Sequence, residues 1–276
     1  MPMPLPMLLL ASDMLALIYA VVILIATTLG AFVGLGGGVI IKPVLDFIGA
    51  EPRMQVDFLS CVAVFTMSIV STAKSIRSKA EFKKNIVVLI ALGSIAGGFL
   101  GSFFMDMLEG AVDPDKVRCI QAFALAGLIA AVSIYVGKIK FSFDIKNNFV
   151  ICAVGLLLGF VASFLGIGGG PINVAVLTLF FSMNVKESAV YSVAIIFFSQ
   201  LSKLVTMFMT AGIDSYTHQW KTLLFILPAA VIGGFLGSKL NRKFDDGIIR
   251  KVFVSVMILL ILLNVFNGIN YMFIVA

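Results

Sequence analysis

The sequence predicts an all-α polytopic membrane protein made of two inverted-topology repeats, with about 8–10 transmembrane helices that include short segments broken by Gly and Pro. The first observation is composition: 61% of the residues are hydrophobic and 12% are charged, whereas a soluble domain has roughly 25% charged residues. The second is a series of apolar runs of about 20 residues, the length that crosses about 30 Å of hydrocarbon. The third is a glycine-rich motif that occurs twice.

Eight apolar runs are long enough to cross a bilayer, and two shorter runs accompany them. The long runs cover about 14–33, 57–76, 85–106, 117–136, 147–165, 188–210, 221–238 and 252–274. The short runs, about 38–49 and 171–183, each directly follow a copy of the glycine motif. Pro43 interrupts the first short run, and Pro171 opens the second, where proline suits the first helical turn. No polar stretch is long enough to fold alone, which argues against a receptor or an anchored enzyme with a soluble domain.

The chain repeats itself. The motif Gly34–Gly38 returns 132 positions later (166 − 34 = 132) as Gly166–Gly170. A second motif, Gly-Gly-Phe-Leu-Gly, begins at Gly97 and again at Gly233, an offset of 136 (233 − 97 = 136). We therefore divide the chain into a first repeat, 1–145, and a second repeat, 146–276.

Charge predicts how the repeats are oriented. Basic residues collect in the loops 74–84 and 239–251 and in the segment 138–146 that joins the halves. Because Lys and Arg favour cytoplasmic loops, we place these three inside and the acidic loop 106–115 outside. Each half then crosses an odd number of times: three if the first run and the glycine-led run form a re-entrant hairpin, five if both cross. An odd count inverts the second half, and in such transporters the Gly/Pro-broken segments mark the substrate site.

The two glycine motifs are the predicted substrate site. Glycine disfavours a continuous helix, and free backbone N–H groups at the helix starts that follow can bind an anion. The candidate residues are Gly34, Gly36, Gly37, Gly38, Gly166, Gly168, Gly169 and Gly170. The alternative is close helix packing, which is our interpretation of the Gly-x-x-x-Gly spacing at Gly97 and Gly233.

Polar side chains inside apolar runs extend the predicted site. Lys42 follows the first motif by one helical turn, and an ionisable group in a membrane segment is a functional candidate, although such a lysine can also extend to the membrane surface. The other candidates, which could donate to an oxyanion or be packed polar groups, are Ser60, Asn173, Ser192, Gln200 and Lys203. Asp13, Asp46 and Asp57 are the carboxylates closest to membrane segments, so one of them could relay protons.

The sequence shows no signature of an enzyme, and we predict no catalytic residue, no metal site and no cofactor. It contains no His-Glu-x-x-His and no Walker motif. The three cysteines, Cys61, Cys119 and Cys152, have neither metal-site spacing nor the spacing of a disulfide framework. The net charge of +6 is explained by basic cytoplasmic loops, so we expect no nucleic-acid partner.

With both motifs in view, the chain resembles the TauE/SafE family of membrane transporters, the sulfite exporter or toluene-sulfonate uptake permease family. The resemblance rests on Gly30–Gly38, Gly159–Pro171 and the doubled Gly-Gly-Phe-Leu-Gly motif, and it covers nearly the whole chain. It implies a multi-pass protein of the inner (plasma) membrane that moves sulfite, sulfoacetate or related organosulfonates. It supplies no catalytic residues.

The sequence leaves three functions open. The first is a secondary carrier of small anions that alternates access between the repeats, with Lys42 or Lys203 as compensating charge and H⁺ or Na⁺ as candidate coupling ions. The second is a carrier of a neutral or cationic metabolite, because unwound carbonyls bind cations. The third is a non-transporting membrane partner in assembly or sulfur relay. The expected partners are the small anion and the lipid bilayer, and a homo-oligomer is a candidate assembly.

Overall fold

The computed structural model describes residues 5–77, 84–138, 141–165 and 169–275. Within these ranges it contains ten α-helices, and the 3₁₀ helix Ile213–Gln219 lies between the eighth and the ninth. The helices are α1 (Leu5–Val33), α2 (Gly38–Ile48), α3 (Arg53–Arg77), α4 (Lys84–Ala111), α5 (Pro114–Lys138), α6 (Asn148–Phe164), α7 (Gly170–Phe181), α8 (Val185–Ala211), α9 (Trp220–Lys243) and α10 (Asp246–Val275). The prediction of an all-α polytopic membrane fold is confirmed.

Seven of the described helices are long and apolar enough to cross a membrane, namely α1, α3, α4, α5, α8, α9 and α10. The two glycine-led helices are much shorter, with 11 residues in α2 and 12 in α7. At about 1.5 Å per residue they reach about 16–18 Å, little more than half of the hydrocarbon thickness. Neither short helix crosses by itself.

Helices α1 and α2 form a hairpin whose tip is the first glycine motif. Just after α2, Glu51 lies within electrostatic range of Tyr19, in the middle of α1. Gln219 Nε2 donates a hydrogen bond to Glu51 Oε2 (3.1 Å), and Gln55 Nε2 donates to the carbonyl of Ser215 (3.1 Å). The open end of this hairpin therefore lies beside the connection between α8 and α9.

Helices α6 and α7 form a second hairpin, which opens at the other end of the molecule. The backbone N–H of Ile145, just before α6, donates to the carbonyl of Phe180 at the end of α7 (2.9 Å). Lys186, at the start of α8, donates from Nζ to the carbonyl of Phe244 (2.9 Å), which lies between α9 and α10. The loops before α6, after α7 and after α9 thus meet at one end.

This second end is the basic one, with Lys146, Lys186, Arg242, Lys243 and Lys251 near it. The positive-inside rule predicts that it faces the cytoplasm, so we call it the inner end and the opposite end the outer end. Beside its hairpin, each half supplies three helices that are long enough to cross, α3–α5 and α8–α10, and α1 of the first hairpin is the seventh such helix. The first hairpin enters from the outer end and the second from the inner end, as inversion of the halves requires.

The helix pairs in most extensive contact join the two halves. Helix α4 packs along α6 and α1 along α9, two pairs that exchange under a shift of one repeat, while α5 packs along α10. A Cβ on Gly97 would overlap the carbonyl of Leu156, and one on Gly237 would overlap that of Thr28. The packing interpretation of the Gly-x-x-x-Gly motifs is confirmed. The boundary at residue 145 stays a prediction, because the halves interlock.

Two clusters of buried apolar side chains fill the two ends of the bundle. The inner cluster joins α5, α6, α7 and α10 around Ile129, Leu177 and Phe253. The outer cluster joins α1, α2, α3 and α9 around Ile23 and Leu45. Residues of both hairpin tips, among them Leu35 and Leu165, belong to the inner cluster.

Candidate substrate site

The tips of the two hairpins touch each other. The hydroxyl of Ser192, on α8, donates to the carbonyl of Gly34 (2.6 Å) and lies 3.4 Å from the carbonyl of Gly170. Gly170 itself packs so tightly on the carbonyl of Leu35 that a Cβ there would overlap it. One buried hydroxyl therefore bridges both glycine motifs.

The described glycines of the two motifs are packed rather than open. Four of them have positive φ angles between 76° and 82°, a conformation that favours glycine: Gly34, Gly36, Gly37 and Gly169. Gly34 faces the backbone of Ala189 and Gly36 faces the side chain of Ile196 without room for a Cβ. The range Gly34–Gly38 is buried throughout. The contacts favour the packing alternative here, and a role as anion ligands stays a prediction; Gly166 and Gly168 lie outside the described residues.

The other predicted polar residues occupy two places: Asn173 and Ser192 near the hairpin tips, and Ser60, Gln200 and Lys203 on α3 and α8 nearer the outer end. Four of the five are buried, and Lys203 is half-buried. The thiol of Cys61 donates to the carbonyl of Gln200 (3.6 Å), and Lys203 lies within electrostatic range of that thiol. These side chains line the interface between α3 and α8 rather than one common hollow.

A cavity opens at the outer end between α2, α5 and α10. Its volume is about 40 Å³, and it is partly open to solvent. Its polar lining consists of Lys42, Asp46, Arg118, Gln121, Asn264, Asn267 and Tyr271. Leu165, the last described residue before the second glycine motif, also lines it. The cavity thus runs from the outer surface to the tip of the second hairpin, and Lys42 brings one predicted site residue into it.

Hydrogen bonds connect the walls of this outer cavity to both hairpins. Gln121 Nε2, on α5, donates to the carbonyl of Phe164 at the end of α6 (2.9 Å). Asn267 Nδ2, on α10, donates to the carbonyl of Pro43 in α2 (3.3 Å). Each bond joins a crossing helix to a re-entrant hairpin, so movement of either hairpin changes the shape of the cavity.

The charges around the outer cavity are balanced. Lys42 Nζ lies 2.9 Å from Asp57 Oδ1 on α3, and the two side chains are 11% and 17% exposed. The Arg118 guanidinium lies 5.8 Å from the ring centroid of Tyr271, within cation–π range. Asp46 faces the same cavity. Two positive and two negative groups sum to zero, so Lys42 does not supply a free compensating charge.

The matching position at the inner end is filled. A shift of 132 residues relates Lys42 to Val174 (174 − 42), Gln121 to Phe253 (253 − 121) and Asn264 to Val132 (264 − 132). Val174, Phe253 and Val132 are all buried members of the inner apolar cluster. The structure is therefore open towards the outer end and closed towards the inner end.

Specific contacts close the inner end. Asn241 Nδ2, on α9, donates to the carbonyl of Phe32 near the tip of the first hairpin (2.8 Å, buried). The rings of Phe32 and Phe244 lie 5.8 Å apart, and Lys186 holds the carbonyl of Phe244 (2.9 Å). This set of contacts ties hairpin, α8 and α9 together on the cytoplasmic side.

Sequence reasoning missed most of the cavity lining. Arg118, Gln121 and the two asparagines of α10 were not among the predicted site residues. A signal was present, because Asn264 and Asn267 are spaced three residues apart in an otherwise apolar run, and polar residues in membrane helices mark pathways. Their common cavity was not visible, because α5 and α10 meet only in the folded protein.

These features define a class of protein: a multi-pass membrane protein with two opposed helical hairpins and a polar cavity that reaches the tip of the second. Comparison with known proteins agrees with this class. The chain belongs to the sulfite exporter TauE/SafE family, whose model matches residues 19–263. The prediction of this family is confirmed, and the family is one of membrane transporters.

Curated relatives carry transporter names as well. The chain is 27% identical to the probable membrane transporter protein YunE of Bacillus subtilis, covering 89% of this chain and 96% of that protein. It is 24% identical to the probable membrane transporter protein MJ0441 of Methanocaldococcus jannaschii, covering 83% and 87%. No solved structure matches the chain significantly.

Proposed function

We propose that this protein is a secondary transporter of small anions, with sulfite or a sulfoacetate-like organosulfonate as substrate. The observation that carries the proposal is the outer cavity, which is lined by Arg118, Lys42 and Leu165, the residue just before the second glycine motif. The family description, which names a sulfite exporter, supports the substrate class. We assign the protein to the inner (plasma) membrane and give it no enzymatic step.

Arg118 is the central anion ligand in this proposal. Its guanidinium presents a planar fork of N–H donors that matches two oxygens of a sulfite or sulfonate group. It lies on a crossing helix beside Gln121, which contacts the second hairpin. An anion bound between Arg118 and that hairpin touches both moving parts, which is how binding biases alternating access.

The test is sulfite and sulfoacetate counterflow in proteoliposomes that contain the purified protein. Arg118→Gln should raise the apparent KM about tenfold or more, because a hydrogen bond to a charged group contributes about 1.5–3 kcal/mol. Arg250→Gln is the matched control: it changes the same residue type at the equivalent inner position, where Arg250 pairs with Asp246 (3.3 Å). Absence of flux for every sulfur oxyanion tried, or equal KM values in the two variants, would refute the proposed site.

One observation favours a second candidate, a carrier of a neutral metabolite. The four charged groups around the outer cavity cancel, and a neutral site favours a neutral solute over a bare anion. A competition experiment separates the two candidates. Inhibition of sulfite counterflow by other small anions but not by uncharged analogues supports the anion carrier, and the reverse pattern supports the second candidate.

A further inference from the structure

We propose that Asp57 is the proton-binding site that couples anion uptake to the pH gradient, and that it acts by releasing Lys42. The inference rests on the proposed function, because it concerns how the same cavity accepts an anion. It assigns H⁺ rather than Na⁺ as the coupling ion and gives each transport cycle one proton.

The first argument is geometric. Lys42 belongs to the re-entrant helix α2 and lines the outer cavity, while Asp57 lies behind it in the second turn of α3. The two charged atoms are 2.9 Å apart, and both side chains are more than four-fifths buried. An ion pair in such a place joins a hairpin to a crossing helix, so its making and breaking affects the position of the hairpin.

The second argument is charge balance. Lys42 and Arg118 are positive, Asp46 and Asp57 are negative, and an anion that enters this neutral site loses hydration without gaining a net opposite charge. When a proton from the outer solvent binds the Asp57 carboxylate, the ion pair breaks and the site carries one net positive charge. Lys42 then donates its N–H groups to the entering oxyanion. Proton and anion therefore strengthen each other's binding by the same factor.

The groups around Asp57 suit a carboxyl that changes charge. Lys42 faces it from α2, and Lys203 on α8 lies within electrostatic range of Cys61, one turn along α3 from Asp57. Tyr216, on the 3₁₀ helix, lies within electrostatic range of Asp57. Burial, followed by the charges of Asp57 and Cys61, raises the pKa of the Tyr216 phenol. Tyr216 thus stays protonated when Asp57 loses its proton.

Titratable groups also lie on two other neighbours of α3. Helix α1 contributes the buried Tyr19, which lies within electrostatic range of Glu51. Helix α9 begins near Lys221, which is exposed. We assign the proton to Asp57 rather than to Asp46. Asp46 lies on the same helix as Lys42, whereas the ion pair of Asp57 with Lys42 links α3 to α2.

The second repeat does not contain this pair. The positions that match Lys42 and Asp57 are Val174 and Ala189 (174 − 42 = 132 and 189 − 57 = 132), and both are buried apolar residues. A coupling site built from this pair exists once per chain, not twice. That asymmetry is the reason for assigning one proton to each cycle.

The experiment compares three proteins in proteoliposomes: the wild type, Asp57→Asn, and the control Asp144→Asn, which removes an exposed carboxylate paired with Lys146 (3.2 Å). The probes are sulfite and methanesulfonate. Methanesulfonate keeps the same charge near neutral pH, so its accumulation reports the pH gradient without a change in the probe itself. A gradient of about one pH unit should drive about tenfold accumulation in the wild type and the control, since a tenfold ratio corresponds to about 1.4 kcal/mol. Asp57→Asn should lose this accumulation, and its slower counterflow should no longer depend on pH.

Each outcome decides something different. Accumulation by Asp57→Asn equal to that of the wild type overturns the coupling role, and so does a wild type driven by Na⁺ but not by pH. A wild type without counterflow of any anion refutes the proposed function instead. Asp57→Glu should restore the response to the gradient, which a purely structural role does not predict. If Asp57→Asn does not fold, the double variant Lys42→Met/Asp57→Asn removes the whole pair without leaving a lone buried charge, and it should show the same loss.

Discussion

Replacement of Gly170 by alanine should force the two hairpin tips apart. Gly170 is the first residue of α7, and its backbone has no positive φ that alanine would resist. An ideal Cβ on Gly170 would stand 1.9 Å from the carbonyl oxygen of Leu35. Ordinary van der Waals contact for such an atom begins at 3.4 Å, so the tips must separate by about 1.5 Å (3.4 − 1.9). The obstacle is backbone, which cannot rotate away as a side chain does.

The expected destabilisation follows from this displacement. Overpacking of a well-packed interior costs about 1–3 kcal/mol, and the upper end applies because two backbone segments must shift. For a chain of about 150–250 residues, 1 kcal/mol corresponds to about 2–4 °C in Tm. We therefore expect Gly170→Ala to lower the Tm of the detergent-purified protein by about 6–12 °C. Counterflow should fall as well, because Ser192 can no longer bridge Gly34 and Gly170.

The assay is thermal unfolding of detergent-purified protein, followed by size-exclusion chromatography, with counterflow in parallel. Gly127→Ala is the matched control, because it makes the same change inside α5, where a Cβ would meet nothing within 4 Å. There the change should be neutral or stabilising by up to about 1 kcal/mol. A Gly170→Ala protein with wild-type Tm and counterflow would show that the tips do not pack as the structure has them.

Three further changes test other parts of the structure. Asn241→Leu removes the hydrogen bond to the buried carbonyl of Phe32. It should lower the free energy of unfolding by about 1–3 kcal/mol, which thermal unfolding measures. It should also increase the labelling of cysteines by thiol reagents added from the inner side. Gly97→Val should prevent α4 from packing on the α6 backbone, which would appear as loss of the monodisperse peak in size-exclusion chromatography, whereas an unchanged profile would contradict that contact. Lys42→Ala removes the lysine from its ion pair with the buried Asp57 and should destabilise the protein by about 3 kcal/mol. Lys42→Ala/Asp57→Ala should recover most of that loss in the same unfolding assay.

The fold was predictable because its determinants are local. Hydropathy identified all seven helices that are long enough to cross, since about 20 apolar residues in succession have few alternatives to a membrane helix. It also predicted a crossing for the run 147–165, which forms the shorter helix α6. The glycine motifs marked the breaks, because positive φ at Gly34 or Gly169 is a backbone requirement that shows directly in residue type. Loop charge indicated the orientation without any knowledge of packing.

The site was predictable only in part. Lys42 was identified because a charged residue in an apolar run is unusual whatever surrounds it. Its neutralisation by Asp57 was not foreseen, since the pair depends on how α2 returns against α3. The glycines were expected to face a hollow, and the described ones instead pack on α8 and on each other, because a small residue serves close contact as readily as it serves ligand access.

The sequence by itself determined the all-helical membrane fold and the two broken segments, and it predicts the repeated halves and the basic cytoplasmic face. Each of these follows from residue types read over one turn, one span or one loop. Only the tertiary structure decided that a cavity lies at the outer end and that apolar side chains fill its inner counterpart. Arg118 and Asn264 are 146 positions apart (264 − 118 = 146), and they line one cavity because α5 packs along α10. Which surfaces of distant helices meet is set by packing across the whole bundle, and no local pattern encodes it.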